Sequence, residues 1–255
     1  LKQRNLIQAL FLFVASGIMA MVVIGGQKAI HNACPYALIC FGALKGNLLS
    51  LSLGIASLGI LLGILFMLIS MFWGRIFCGY ICPLGTIQDA VFALRGKKAR
   101  KQIPLMYERK LILGKYWVLG ITFILVVSGL AWISINLCPI YSFSRMPSLG
   151  LGLVISILLI PIAGFFVNRL WCRYICPYAA LLNLAQKLGE LLGISRKKIH
   201  RNLERCIDCG ICNRDCPMNL DILENEYVQS PDCIHCLRCT QNCPKPGTIT
   251  KKRNP

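Results

Sequence analysis

Acidic side chains are scarce in this chain. Ten Asp and Glu stand against 28 Lys and Arg, and only Asp89 and Glu108 precede residue 169. A proton pump built on intramembrane carboxylates is therefore not expected. There is also no nucleophile–base pair, no glycine loop for phosphate and no paired catalytic carboxylate. A self-contained hydrolase is excluded on those grounds.

Apolar residues are abundant. They make up 56% of the 255 residues, against about 45–50% in ordinary globular domains, and mean hydropathy is +0.61. The excess lies in four runs: Leu6–Ile24, Leu51–Trp73, Tyr116–Leu137 and Leu151–Val167. Each holds about 17–23 residues without an acidic or basic side chain, enough for a helix to cross about 30 Å of hydrocarbon. The first run lacks a clean cleavage site before Lys28 and reads as a retained helix.

The basic residues orient these runs. Lys2 and Arg4 precede the first, nine Lys and Arg lie between Arg75 and Lys115, and fourteen follow from Arg169 onward. The two opposite loops hold only Lys28, Lys45 and Arg145. Both termini are thus expected in the cytoplasm, and the formal charge of +18 reflects topology and anionic lipid rather than nucleic acid.

Fifteen cysteines carry the chemistry. Residues 206–244 contain two complete C-x-x-C-x-x-C-x-x-x-C-P runs. They are Cys206, Cys209, Cys212, Cys216-Pro217 and Cys233, Cys236, Cys239, Cys243-Pro244. In this two-cluster ferredoxin spacing, three close cysteines hold one cluster and the fourth ligates the other. The expected sets are Cys206, Cys209, Cys212 and Cys243 on one 4Fe–4S cluster, and Cys233, Cys236, Cys239 and Cys216 on the second. Zinc knuckles do not call for the third cysteine or the trailing Cys-Pro. Disulfides do not suit a reducing compartment.

The apolar part repeats. "WGRIFCGYICPLGTIQD" at 73–89 matches "VNRLWCRYICPYAALLN" at 167–183, giving Cys78/Cys82-Pro83 and Cys172/Cys176-Pro177. Each half runs helix, outer Cys-Pro loop, helix, inner C-x-x-x-C-P, in the same orientation. Cysteines at i and i+4 share one face of a helical turn. Two such turns facing each other would present four thiolates to a third 4Fe–4S cluster. Simple packing by a small apolar residue is the plainer role of a membrane cysteine.

Cys34, Cys40 and Cys138 fall on the outer side. A disulfide, ligation of a further outer iron–sulfur centre and plain packing all remain open for them. The segments Leu84–Leu94 and Tyr178–Leu192 read as surface helices with polar edges in the headgroups. They could equally dock the ferredoxin part. The run 195–206 reads as a solvated, lipid-facing hinge.

The motifs at 78–83, 172–177, 206–217 and 233–244 resemble those of the NapH-type ferredoxin subunit of periplasmic nitrate reduction. They are also similar to the membrane core of NosR-type and CcoG-type proteins. The resemblance implies a membrane-bound polyferredoxin-like electron carrier working with quinol or a redox partner. No large extra domain is expected beside this core, neither the flavin-binding extension of the NosR type nor the C-terminal domain of the CcoG type. A flavin would come from a separate extracytoplasmic subunit.

The fold expected is an all-α membrane domain at 1–194, with four transmembrane helices in two pseudo-symmetric halves. A small α+β two-cluster ferredoxin domain follows at 195–255. The function expected is electron transfer within a respiratory complex of a bacterial or archaeal cytoplasmic membrane. Electrons would pass between the cytoplasmic clusters, the membrane cluster and a quinone or an extracytoplasmic partner. Soluble ferredoxin is a candidate donor. The alternative is electron delivery for maturation of a metalloprotein.

Overall fold

The computed structural model of the protein describes residues 2–24, 55–95, 103–130, 133–134, 138 and 158–253. It is mostly helical. In chain order the elements are α1 (Lys2–Ile24), α2 (Ile55–Trp73), α3 (Ile76–Tyr80), α4 (Pro83–Ala93), α5 (Leu105–Leu111), α6 (Gly114–Val127), α7 (Ile160–Phe166), a π-helical turn (Trp171–Ile175), α8 (Pro177–Leu191), β1 (Lys197–Arg201), α9 (Ile211–Arg214), α10 (Arg238–Gln241) and β2 (Ile249–Arg253).

The described residues of the four apolar runs lie mostly in α1, α2, α6 and α7. Among the described residues one stretch, Leu105–Val127, is long and apolar enough to cross a membrane, and Gly59–Trp73 is apolar but shorter. Large apolar side chains on these helices point outward, among them Phe13, Leu65, Phe72, Trp117, Ile124 and Phe166. Facing water, such a surface would be an association hazard.

Packing follows the repeat. Helix α4 lies against α1 and α7, and α8 lies against α6 and α2. Each inner helix therefore touches the first helix of its own half and the last apolar helix of the other. Arg4 and Gln8, one turn apart on α1, share a face and are both buried. Both donate to the Gly79 carbonyl, at 3.4 and 2.9 Å.

The C-x-x-x-C-P motif spans a break rather than one helical turn. Cys78 lies in α3 and Cys172 in the π-helical turn, whereas Cys82 and Cys176 are the N-caps of α4 and α8. Proline follows each cap because the first helical position needs no N–H and suits its fixed φ.

The run at 195–206 is not a solvated hinge. Lys197–Arg201 pairs antiparallel with Ile249–Arg253, and Arg196, Lys198, His200 and Arg201 are buried. One buried apolar cluster continues from Cys78, Tyr178 and Leu182 through Ile234 to Met218, Ile222 and Ile249. The ferredoxin part thus packs directly on α3 and α8.

Candidate electron-transfer site

The inner cysteines of both halves are brought together. Burial, with neighbouring thiols of the same set acting in the same direction, pushes the thiols of Cys82, Cys172 and Cys176 up to about 12. Arg169 pulls Cys82 and Cys172 the other way, and Arg75 does so for Cys172 and Cys176. These three thiols would stay protonated on their own. A cationic metal core would make thiolates favourable there.

N–H groups surround these sulfurs. Arg75 Nη2 lies 4.0 Å from Cys78 Sγ, and Gln88 Nε2 lies 3.6 Å from Cys172 Sγ. The backbone amides of Gly85 and Ala179 act on Cys82 and Cys176, short of a full capping hydrogen bond. Donors of this kind suit a negatively charged cluster and tune its potential.

The ferredoxin part forms two hollows. One is rimmed by Cys206, Cys209, Cys212 and Cys243. The other is rimmed by Cys216, Cys233, Cys236 and Cys239. The fourth cysteine of each run thus sits with the first three of the other. Left-handed residues curl the two loops alike: Asp208 and Gly210 in the first, His235 and Leu237 in the second. No three His, Cys, Asp or Glu side chains close on a single ion among the described residues. The cysteines stand around spaces, as a cluster requires.

The hollows differ in exposure. Cys209 is exposed, whereas Cys236 and Cys239 are buried. Burial pushes Cys216 up to about 11 and Cys233 up to about 12. The second loop lies against the inner motif of the first half. Tyr80 donates to the His235 carbonyl at 3.3 Å. A Cβ on Gly79 would stand 2.5 Å from the Ile234 carbonyl oxygen.

Both early carboxylates are buried at the centre. Asp89 accepts from Arg169 Nε and Nη2 at 3.0 and 2.7 Å and from Arg4 at 2.5 Å. Burial alone would raise its carboxyl, but Arg169, Arg238 and Arg4 hold it well below the usual carboxylate range. Glu108 accepts from Arg173 Nε at 3.0 Å, Tyr174 at 2.5 Å and Asn219 at 3.2 Å. Gln88, Asp89, Asn183 and Gln186 are all buried. Their polar ends face into the protein, not into headgroups.

Cys34 and Cys40 lie outside the described residues. Cys138 is described and half-buried, but its repeat equivalent is Cys34.

The comparisons with known proteins match this layout. A 4Fe-4S binding domain matches residues 55–102 and 149–202, once over each half, and a 4Fe-4S dicluster domain matches residues 198–244. YccM of Escherichia coli, whose name assigns it provisionally to electron transport, is 29% identical over 74% of this chain and 54% of its own. The methylamine utilization ferredoxin-type protein MauN of Paracoccus denitrificans is 30% identical over 62% of this chain and 52% of its own. NirI of the same organism is 29% identical over 72% of this chain and 27% of its own.

The chain is thus a homologue of the NosR/NirI-type electron-transport ferredoxin proteins. It spans about half the length of YccM and MauN and about a quarter of NirI. No solved structure matches it.

Within this chain, cysteine spacing does not announce Arg75, Gln88, Asp89, Glu108, Arg169 or Asp232. A signal for two of them is present: an arginine stands three residues before the first inner cysteine in both halves.

Proposed function

We propose that this protein is a membrane-integral iron–sulfur electron-transfer subunit of a respiratory redox complex. Four helices cross the membrane with both termini in the cytoplasm, and the ferredoxin part from about residue 195 sits on the cytoplasmic face. Three 4Fe–4S clusters are held by Cys206, Cys209, Cys212 and Cys243; by Cys233, Cys236, Cys239 and Cys216; and by Cys78, Cys82, Cys172 and Cys176. Bound in these sets, each cluster carries one electron at a potential set by charge, hydrogen bonds and burial.

One observation carries the reading. The second hollow's loop lies against the inner motif at Gly79 and Tyr80, and the exchanged fourth cysteines tie that hollow to the more exposed first one. The exposed Cys209 edge suits exchange with a soluble carrier. The inner set, at the ends of the apolar helices, suits exchange with a quinone or an extracytoplasmic redox partner. Outward-facing apolar side chains support the membrane placement, and the distribution of Lys and Arg supports the orientation.

The test is iron and sulfide content with EPR on anaerobically purified protein, wild type beside Cys78→Ala/Cys172→Ala. About twelve iron atoms falling to about eight is the expected result. About eight in both would leave only the ferredoxin pair and make the inner repeat a packing feature.

A further inference from the structure

We propose that Asp232 is a positioning residue supplied by the ferredoxin part: it stands in for a carboxylate that the second half of the repeat lacks, and so locks the Cys233–Cys239 loop onto the inner cysteine set. The register of the repeat pairs Arg75 with Arg169, Cys78 with Cys172, Cys82 with Cys176 and Asp89 with Asn183. Arg169 is neutralised inside the membrane part, by the two oxygens of Asp89. Arg75 has no such partner on its own side. The position equivalent to Asp89 holds Asn183, whose neutral Oδ1 lies 3.5 Å from Arg75 Nη1.

Arg75 is fully buried, and so is Lys115 beside it. Two buried cations without a counter-charge are strongly unfavourable. Asp232 supplies the charge. Its Oδ1 accepts from Arg75 Nη1 at 2.6 Å, from Asn183 Nδ2 at 3.0 Å and from Lys115.

The placement has a consequence because Asp232 directly precedes Cys233. Arg75 also donates to the Cys172 carbonyl at 3.4 Å and approaches Cys78 Sγ at 4.0 Å. A continuous polar path thus joins the second ferredoxin loop to a sulfur of the inner set. Lifting the ferredoxin part away would strand both cations. Asp232 is the carboxylate that both cations share, and it is in place only when the loop is seated. The claim that two clusters meet across this contact rests on the function proposed above; the seating itself does not.

The experiment uses the full chain in detergent and compares wild type, Asp232→Asn and the double variant Asn183→Asp/Asp232→Asn. The double variant returns a carboxylate to Arg75 from α8 but leaves the loop untethered. Seating is read by trypsin cleavage at Arg196, Lys198 and Arg201, which are buried. Cluster proximity is read by magnetic broadening between reduced clusters in EPR, alongside iron content.

Asp232→Asn is expected to keep its iron, lose the broadening and be cleaved about tenfold faster, as for local opening that has lost one charge-assisted contact. The double variant is expected to stay fast. Wild-type cleavage in Asp232→Asn would overturn the proposal. So would wild-type cleavage in the double variant, because Asp232 would then only neutralise Arg75. Should Asp232→Asn fail to accumulate, the double variant, with a carboxylate kept near Arg75, carries the same comparison. About eight iron atoms in wild type would count against the inner cluster and leave the cleavage result to decide the seating.

Discussion

Arg75 and Arg169 each donate to the backbone carbonyl of the cysteine that leads the other half's motif: Arg75 to Cys172 at 3.4 Å and Arg169 to Cys78 at 2.5 Å. The exchange explains why an arginine precedes both motifs by three residues. A charged, planar donor reaches across the pseudo-two-fold axis and ties the two halves at the sulfurs they share. The working motif is thus R-x-x-C-x-x-x-C-P, and the arginine belongs to it as much as the proline does.

Arg169→Met is expected to lose about 3–5 kcal/mol of stability, because it leaves Asp89 as a buried charge without its main partner. Iron at the inner set should fall with it. The double change Arg169→Met/Asp89→Leu should cost less than the sum of the two single changes, since both charges leave together. Thermal unfolding in detergent, with iron counted on each variant, checks this. Strict additivity would mean that the pair is not coupled.

Gly79 fixes how closely the second ferredoxin loop approaches. An added Cβ would meet the Ile234 carbonyl oxygen at 2.5 Å, a backbone atom that cannot turn aside. Gly79→Ala should therefore displace the loop at a cost of about 1–3 kcal/mol and speed trypsin cleavage of β1. Gly120 on α6 has open space around it. Gly120→Ala should leave cleavage unchanged and favour its helix by up to about 1 kcal/mol. Equal behaviour of the two variants would remove the close approach from the account.

The cysteine sets are legible in the sequence because their geometry is local: three cysteines on one loop can only curl around a common space. The buried polar network is not local, and rules of composition misplace it. Counting charges assigns Arg75 and Lys115 to membrane topology, yet both are buried on Asp232. Helical periodicity puts Gln88, Asp89, Asn183 and Gln186 on the polar edge of a surface helix. That edge in fact faces the partner half and the ferredoxin part, where each side chain finds a donor or acceptor. The strand at 197–201 is hidden for the same reason, since its pairing partner lies some fifty residues later at 249–253.

The unequal exposure of the two hollows predicts the order in which iron leaves. Cys209 is exposed, whereas Cys236 and Cys239 are buried. Under a chelator with a mild oxidant, about four iron atoms should leave first, and they should be those lost from the start in Cys243→Ser. Cys216→Ser should instead remove iron from the slower set. This tests the crossed assignment directly. If Cys216→Ser empties the exposed set, each run keeps its own fourth cysteine and the crossed arrangement is wrong.

Gln88 should tune the inner site. Its side chain is fully buried; Oε1 accepts from the Trp171 N–H at 3.1 Å, and Nε2 lies 3.6 Å from Cys172 Sγ. The equivalent position in the other half is Leu182, also fully buried, so a leucine is compatible with this kind of site. An N–H aimed at a cluster sulfur favours the reduced, more negative state and raises the potential. Gln88→Leu should thus lower the midpoint potential of the inner cluster with iron content unchanged, while costing about 1–3 kcal/mol for the stranded Trp171 amide. Gln88→Glu keeps the acceptor for Trp171 but swaps the donor for a carboxyl oxygen. If that group stays charged, the potential should fall further still. A redox titration followed by EPR separates these outcomes. Equal potentials in all three proteins would make Gln88 a scaffold for Trp171 alone, and the tuning of the inner set would then fall to Arg75.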